Sequence, residues 1–435
     1  MIKKDARYHA FKILLDFERS KKQLKLVRNQ YYDSYSVSEN DKIRSFILSN
    51  EVVQWQRRLD YWISKNLIKD TKYLNIEALI ILRLGYYEIL LDEKVPIYAG
   101  VNSWVELSKY VLNRKFVSLI NALLRKTVNI DPRKRDSEQS NGSWYSFPDW
   151  LINGWIKKYG KIMTENLCDW FNSPQSTDLR IFNGSKNLIK FLSELNIKYK
   201  TSPKSSHFIR VQSDLNKIIS SKYFKSGDIN IQGRASGAVV ELLAPEPNSV
   251  VLDVCAAPGT KSIYIFELMN GEGQLFCSDI DSKRIELGKS RTEDLKLPIK
   301  WSCKDASIDL FPDADFILID APCTGTGIIG RKVDIRWRRK KEDIQAMSRK
   351  QLKILNHMSQ FLKPKGVIVY STCSIEDEEN WNVVESFLKL NNNFYLESGE
   401  NFVPNQWLDE KGYLETFPPR DKIDGMFAVR LKKYD

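Results

Sequence analysis

The chain has 435 residues, more than one hydrophobic core usually supports, and its 67 basic against 55 acidic residues leave a formal net charge of +12. Six cysteines without a CxxC pair and three widely separated histidines argue against a disulfide framework or a metal site. The charged opening "MIKKDARYHAFKILLDFERS" lacks the apolar centre of a secretory signal, and the greasiest stretch, "ALIILRLGYYEILL", is interrupted by Arg83 and Glu88, so a soluble cytoplasmic protein with no membrane partner is expected.

In residues 1–130 apolar positions recur at helical spacing, as in "FKILLDF", "FILSNEVVQW" and "VSLINALLRK", which predicts an all-helical domain. That segment holds 23 lysines and arginines against 14 acids, so most of the positive surplus lies there and points to a polyanionic partner, nucleic acid above all. Residues 131–145, beginning "DPRKRDSEQSNGS", are polar and rich in breakers and read as a linker. Over 146–232 the runs "DLRIFN", "NLIKFLSELN", "HFIRVQ" and "INIQG" predict strand, helix, strand and strand, a small α+β, RRM-like module. From 233 to 435 strands such as "SVVLDV", "QLFCSD", "DFILID" and "GVIVYST" alternate with helical patterns, the signature of a doubly wound Rossmann-like sheet.

Helices cover both faces of such a sheet, so chemistry is expected in the loops at the carboxyl ends of its strands. In "LDVCAAPGTKS", the small residues Cys255, Ala256, Ala257, Pro258, Gly259 and Thr260, with Lys261, let the backbone approach a ligand and open a helix with free amide groups. Asp279 closes the next strand, placed to accept both ribose hydroxyls of an adenosine-containing cofactor; Asp305, after the third strand, is placed for the adenine amine. The loop has neither GxGxxG nor GxxxxGK[ST], which disfavours NAD and a nucleoside triphosphate.

The fourth strand ends in "DAPCTGTGIIG", with Asp320 and Cys323 on the rim, and the fifth in "YSTCSIEDEEN", with Cys373 at the lip. Between them "RKVDIRWRRKK" carries seven basic residues and a tryptophan, a candidate single-strand RNA contact through Arg331, Lys332, Arg336, Trp337 and Arg338. Two thiols, a carboxyl and an adenosyl cofactor suit methylation of cytosine carbon 5. A thiolate adds to carbon 6, carbon 5 becomes an enamine nucleophile, and an acid of raised pKa such as Asp320 meets ring nitrogen 3. The residues alone do not rank the two thiols.

"DVCAAPGTKS", "DAPCTGTG", "DIRW", "YSTCSIEDEEN" and "DGMFAVRL" together resemble the Fmu/Sun family of RNA cytosine-5 methyltransferases. Upstream, "RSFILSNEVVQWQRRLDYWI", "ILRLGYYEILL" and "INALLRK" resemble the NusB-type RNA-binding domain of the bacterial 16S ribosomal RNA members. The resemblance implies that Cys373 is the nucleophile and that Cys323 discharges the product. It also implies that S-adenosyl-L-methionine lies along Cys255 to Lys261 and at Asp279, Asp305 and Asp320, with ribosomal RNA as substrate; a monomeric chain without a metal is expected.

Three departures stand out. Thr260 replaces the second glycine of "AAPGGK", "GRKVDIRW" replaces "RRHPDIRW", and "IQGRASG" lacks the usual acid after "IQ". Transfer RNA as substrate, a non-catalytic ribosome-assembly factor and an unrelated nucleotide-binding protein are the alternative readings.

Overall fold

The computed structural model describes residues 4–67, 74–92, 95–182, 186–202, 205–211 and 214–435, and the chain divides into two compact units. The first comprises Met1–Asn172 with the insertion Lys332–Arg339; the second comprises Ser173–Arg331 with Lys340–Asp435.

In the first unit six helices build the core: α1 (Ala6–Ser20), α2 (Leu24–Ser34), α3 (Glu39–Asn66), α4 (Ile76–Leu90), α5 (Ile97–Val111) and α6 (Arg114–Arg125). Asp5, Ser38, Asn75 and Asn113 cap α1, α3, α4 and α6 by accepting first-turn amide protons. Helix α4 is buried on nearly every side, as a helix apolar all round must be. Its two charges are matched. Arg83 donates to Asp60 at 2.7 Å and Glu18 at 3.0 Å, and Glu88 accepts from Arg7, Arg44 and the Trp104 indole at 2.7–2.9 Å. Gly85 is where α6 comes closest, since a Cβ there would stand 2.6 Å from Leu124. The domain boundaries expected from sequence shift here. Residues 141–172 fold as helices α7 (Asn141–Tyr145), α8 (Asp149–Tyr159) and α9 (Lys161–Asn172) and join the helical unit, so the small module begins at Ser173 and not at 146.

The basic insertion corrects a second expectation. A one-turn helix, Ile335–Arg338, sits inside the helical unit, and Arg336 has no exposed surface. Its guanidinium donates to the carbonyls of Gln54, Ser146 and Phe171 at 3.2–3.3 Å and to Asn172 Oδ1 at 2.8 Å, over the Phe147 ring. Burial pulls its pKa down to about 9, still leaving it charged at neutral pH. Trp337 donates its indole N–H to the Val53 carbonyl at 2.7 Å, and Arg338 pairs with Asp334. Arg336 is therefore a structural cation and not an RNA contact, and Trp337 is anchored on the helical core. Of the five residues expected to meet RNA, Arg331 and Lys332 are exposed, and Arg331 pairs with Asp424 at 2.7 Å.

The second unit starts with β1 (Thr177–Ile181), α10 (Lys186–Glu194), β2 (Tyr199–Ser202), β3 (Ser205–Val211), α11 (Leu215–Ile219), α12 (Lys222–Lys225) and β4 (Ile229–Ile231). The strands form an antiparallel sheet in the order β2-β3-β1-β4. Alternation sends Leu179, Ile181, Ile209 and Val211 to one apolar face. The opposite face, with Asp178, Arg180 and Phe208, packs on α13 (Arg234–Leu243) and α14 (Thr260–Leu268): Asp178 pairs with Arg234, and Arg180 lies over Tyr264. Gly237 on α13 leaves room for Phe208, because a Cβ would meet its ring at 2.1 Å. Both faces of the small sheet are thus occupied by protein.

The main sheet consists of β5 (Val250–Val254), β6 (Gln274–Asp279), β7 (Lys300–Cys303), β8 (Ala314–Asp320), β9 (Leu362–Thr372), β10 (Phe394–Glu397), β11 (Leu414–Thr416) and β12 (Met426–Lys433). Its order is β10-β12-β9-β8-β5-β6-β7, with β11 on β12. The strands β5 to β9 pair in parallel, and β10, β11 and β12 add antiparallel pairings that the sequence patterns did not announce. Helix α15 (Ser282–Asp294) joins β6 to β7; α16 is the Ile335–Arg338 turn, followed by α17 (Lys341–Met358) and α18 (Trp381–Leu390). The chain reverses direction across the sheet between β5 and β8, so the crevice for a ligand opens there. Among the described residues no helix is long and apolar enough to cross a membrane, and no three metal-ligating side chains cluster.

Arg336→Met should unfold the protein several degrees earlier, because each buried carbonyl left without its donor costs about 1–3 kcal/mol. Thermal melts and a salt titration of RNA binding check this. An unchanged melt with weaker RNA binding would return Arg336 to the RNA surface.

Candidate active site

The loop after β5 turns through two left-handed residues, Cys255 at φ 62° and Gly259 at φ 95°. Gly259 is the position that needs glycine, since a Cβ there would also press on the Trp301 ring at 3.0 Å. Thr260 is already the first residue of α14 and not a left-handed position, so losing the second glycine leaves this loop's backbone intact. The Ala256 N–H donates to the Ser278 carbonyl at 2.8 Å and the Ala257 N–H to Asp279 Oδ2 at 3.2 Å, which ties the loop to the end of β6. Burial pushes the Cys255 thiol up to about 12, so this residue serves the loop through its backbone and not as a nucleophile.

Asp279 is almost fully buried. Oδ1 accepts from the Asp281 N–H at 3.0 Å, and Oδ2 takes Ala257 together with the Arg284 guanidinium at 3.3 Å. Oδ1 keeps a second lone pair for a further donor, and the half-exposed Arg284 lies against Oδ2. Asp305 Oδ1 accepts from the Ser307 N–H at 2.8 Å, and this bond holds its carboxyl below the usual range. Two residues that sequence reasoning missed stand beside these acids, Ile280 and Ile308, each with an apolar side chain mostly in solvent. Their signal was position alone, an apolar residue next to or near each strand-end aspartate.

On the other side of the switch point Asp320 is paired in register with Ser371, the next-to-last residue of β9. The Lys261 ammonium lies 2.7 Å from Asp320 Oδ2, and the Ser371 hydroxyl donates to Oδ1 at 3.2 Å. Burial opposes the charge on Lys261, but Asp320, with Cys373 adding to it, outweighs burial and holds the ammonium above its ordinary range. Asp320 was expected to act as the acid by itself; it is ion-paired with a cation, so the proton-bearing group at this spot is the Lys261–Asp320 pair.

Cys323 and Cys373, fifty residues apart, bring their Sγ atoms to 3.3 Å. The Cys373 carbonyl accepts from the Gly327 N–H at 3.0 Å, which fastens the two thiol loops together. The hydrogen bond to Cys373 and burial push the Cys323 thiol well above its ordinary value. Beneath both loops lies Glu379, fully buried, a further residue the sequence reading did not single out.

A doubly wound sheet with a small-residue loop at its switch point, strand-end acids and paired thiols has the architecture of a Rossmann-like methyltransferase. The chain belongs to the family of 16S rRNA methyltransferases RsmB/F. The family model matches residues 240–432, and the NusB family model matches residues 4–129. The chain is 30% identical to a probable ribosomal RNA small subunit methyltransferase B of Synechocystis sp., over 98% of this chain and 99% of that protein. It is 27% identical to the Bacillus subtilis protein of the same name over the full length of both. Among solved structures, that of PH0851 superposes with a TM-score of 0.82 at 22% identity, covering 100% of this chain and 99% of that one. NSun6 from Pyrococcus horikoshii with SFG superposes at 0.59 and 20% identity, over 67% of this chain and 99% of that one.

Beneath the cofactor loop, burial pushes the Asp253 carboxyl up to about 7 against a Ser262 hydrogen bond of 2.6 Å, and Oδ1 has no partner. The native state thus keeps a proton that the unfolded chain releases near pH 3.8, so this group's stabilisation is complete below that pH and is lost as pH rises toward 7. Asp253→Asn, which keeps the Ser262 acceptor, should raise the melting temperature at pH 8 and leave it unchanged near pH 3.5. A loss of stability at pH 8 would contradict this account.

Proposed function

We propose that the protein transfers a methyl group from S-adenosyl-L-methionine to carbon 5 of a cytosine in 16S ribosomal RNA through a covalent Cys373 adduct. The observation that carries this reading is the 3.3 Å approach of two strand-end thiols on the same sheet edge as the Lys261–Asp320 pair. The names of the full-length relatives supply the ribosomal substrate. Neither the helical unit's basic surplus nor its NusB match distinguishes one RNA from another, but both fit an RNA-binding surface whose affinity falls with salt.

The residues around the switch point fit the cofactor. Left-handed Gly259 and the alanines open a path for the backbone, Oδ1 of Asp279 offers an acceptor for a ribose hydroxyl, and Ile280 and Ile308 offer apolar flanks for adenine. When bound, S-adenosyl-L-methionine supplies an electrophilic methyl on sulfonium.

The protein's part is to make carbon 5 nucleophilic. Sγ of Cys373 forms a bond to carbon 6, the ring's double bond shifts its electrons toward carbon 5, and ring nitrogen 3 takes up a proton held by the Lys261–Asp320 pair. Lys261 also senses the charge of Cys373, so an ammonium there favours the attacking thiolate. Once carbon 5 has taken the methyl and S-adenosylhomocysteine has been left behind, carbon 5 loses its proton to solvent, Sγ of Cys373 departs with its bonding pair, and ring nitrogen 3 returns its proton to the Lys261–Asp320 pair, restoring the aromatic ring. Cys323, kept as a thiol at hydrogen-bond distance, stabilises that departing sulfur. The cytosine enters unpaired or flipped, because carbon 6 cannot be reached inside a stacked helix.

Methylation of unmodified 16S ribosomal RNA with tritiated cofactor, followed by bisulfite mapping, tests the proposal. Cys373→Ala should abolish both turnover and covalent complex, whereas Cys323→Ala should let an RNA–protein species build up on a denaturing gel. The reverse pattern would exchange the two roles, and methylation at a position other than cytosine carbon 5 would overturn the chemistry.

A further inference from the structure

The buried acid beneath the thiol loops has contacts that packing alone does not require. Glu379 has no exposed surface, and its four side-chain hydrogen-bond donors are all neutral. Oε2 accepts from the Thr324 N–H at 2.8 Å and from Gln351 Nε2 at 3.0 Å; Oε1 accepts from the Ser374 hydroxyl at 2.7 Å and from the Thr324 hydroxyl. Thr324 follows Cys323 and Ser374 follows Cys373, so a single carboxylate grips the residue next to each thiol. Gln351, on α17, also donates to the Pro322 carbonyl at 2.9 Å, which braces the first loop from a third element. The Tyr370 hydroxyl fixes the Glu379 main chain through its carbonyl at 2.6 Å.

Burying a carboxyl group with only neutral donors beside it carries a desolvation cost that its hydrogen bonds return only in part. A fold needing only volume here would be served as well by an apolar side chain. The arrangement makes sense if the distance between the sulfurs matters, because four hydrogen bonds to one carboxylate add to the Gly327–Cys373 and Thr326–Ile375 bonds that join the two loops.

We propose that Glu379 is a positioning residue that sets the register of the Cys323 and Cys373 loops for the methyl transfer. This rests on the two-thiol reading above, and it acts through Thr324 and Ser374 without touching the substrate. Glutamine at 379 can preserve the register: its carbonyl takes the two N–H donors, while its amide group donates to hydroxyls that rotate to accept. Alanine cannot. The carboxylate also adds, after the Cys373 hydrogen bond and burial, to what holds the Cys323 thiol above its ordinary range.

Two measurements on the full-length protein test this. In the first, Glu379→Ala should lower kcat about 100-fold, as expected for a reacting group misplaced by an ångström, with KM for RNA and affinity for S-adenosylhomocysteine held within about threefold. Glu379→Gln should recover at least about tenfold of that loss, and Ser374→Ala, a milder cut in the same network, should cost about tenfold. In the second, diamide oxidises the two thiols to a disulfide, itself reduced to the hydrazine, and the rate of Cys323–Cys373 linkage is read by mass spectrometry without RNA. Glu379→Ala should slow that linkage about tenfold and Glu379→Gln should not. Unaltered kcat and linkage rate in Glu379→Ala would overturn the proposal, as would joint loss of cofactor binding and kcat that glutamine fails to rescue. If the wild-type protein makes no methylcytosine while its linkage rate still depends on Glu379, the positioning role stands and the assigned chemistry falls.

Discussion

The parallel pairing of β8 with β9 is the constraint on which the site depends. Asp320 lies opposite Ser371 in that ladder, so the chain leaves both strands at the same level and Cys323 and Cys373 emerge side by side. Cys323 comes three residues after the end of β8 and Cys373 one residue after the end of β9, so the strands fix where each thiol emerges. The ladder supplies the coarse alignment, and Gly327, Thr326 and Glu379 supply the fine one. The same sheet edge carries the small-residue loop after β5, the parallel neighbour of β8.

The methyltransferase class was readable because small-residue loops and lone acids at strand ends have few structural reasons to coincide. The parallel strands β5, β6, β8 and β9 were equally plain, being apolar runs broken by turn residues. The antiparallel edge was hidden: β10 and β11 are three or four residues long, too short for a period to register. Arg336 was misread for a physical reason. A run of seven basic residues normally marks solvent, and no local pattern reports that four carbonyl oxygens 160–280 residues away converge on one guanidinium. Asp320 was half legible, its place on the rim being set by the strand and its partner by α14, which presents Lys261 as its second residue.

The departures from the family pattern find local compensation. Without an acid after "IQ", helix α13 has Gly233 at its start, and Asp178 from the small sheet accepts the Arg234 N–H at 3.3 Å and pairs with its guanidinium. Arg331, the residue before "DIRW" that "GRKVDIRW" shares with "RRHPDIRW", is held by Asp424 of the "DGMFAVRL" segment. The small sheet is a scaffold on its inner face, since Phe208 and Arg180 are spent on α13, Gly237 and Tyr264. Any RNA contact from this module must come from its edges or loops.

RNA carrying 5-fluorocytidine at the target position interrogates the central bond, because fluorine cannot leave carbon 5 as a cation and the ring stays joined to the enzyme after methyl transfer. Digestion and mass spectrometry then identify the linked peptide. The account predicts a methylated nucleotide attached to the peptide containing Cys373, formed only when S-adenosyl-L-methionine is present. Attachment to Cys323, or no attachment under conditions in which ordinary RNA is methylated, would contradict it.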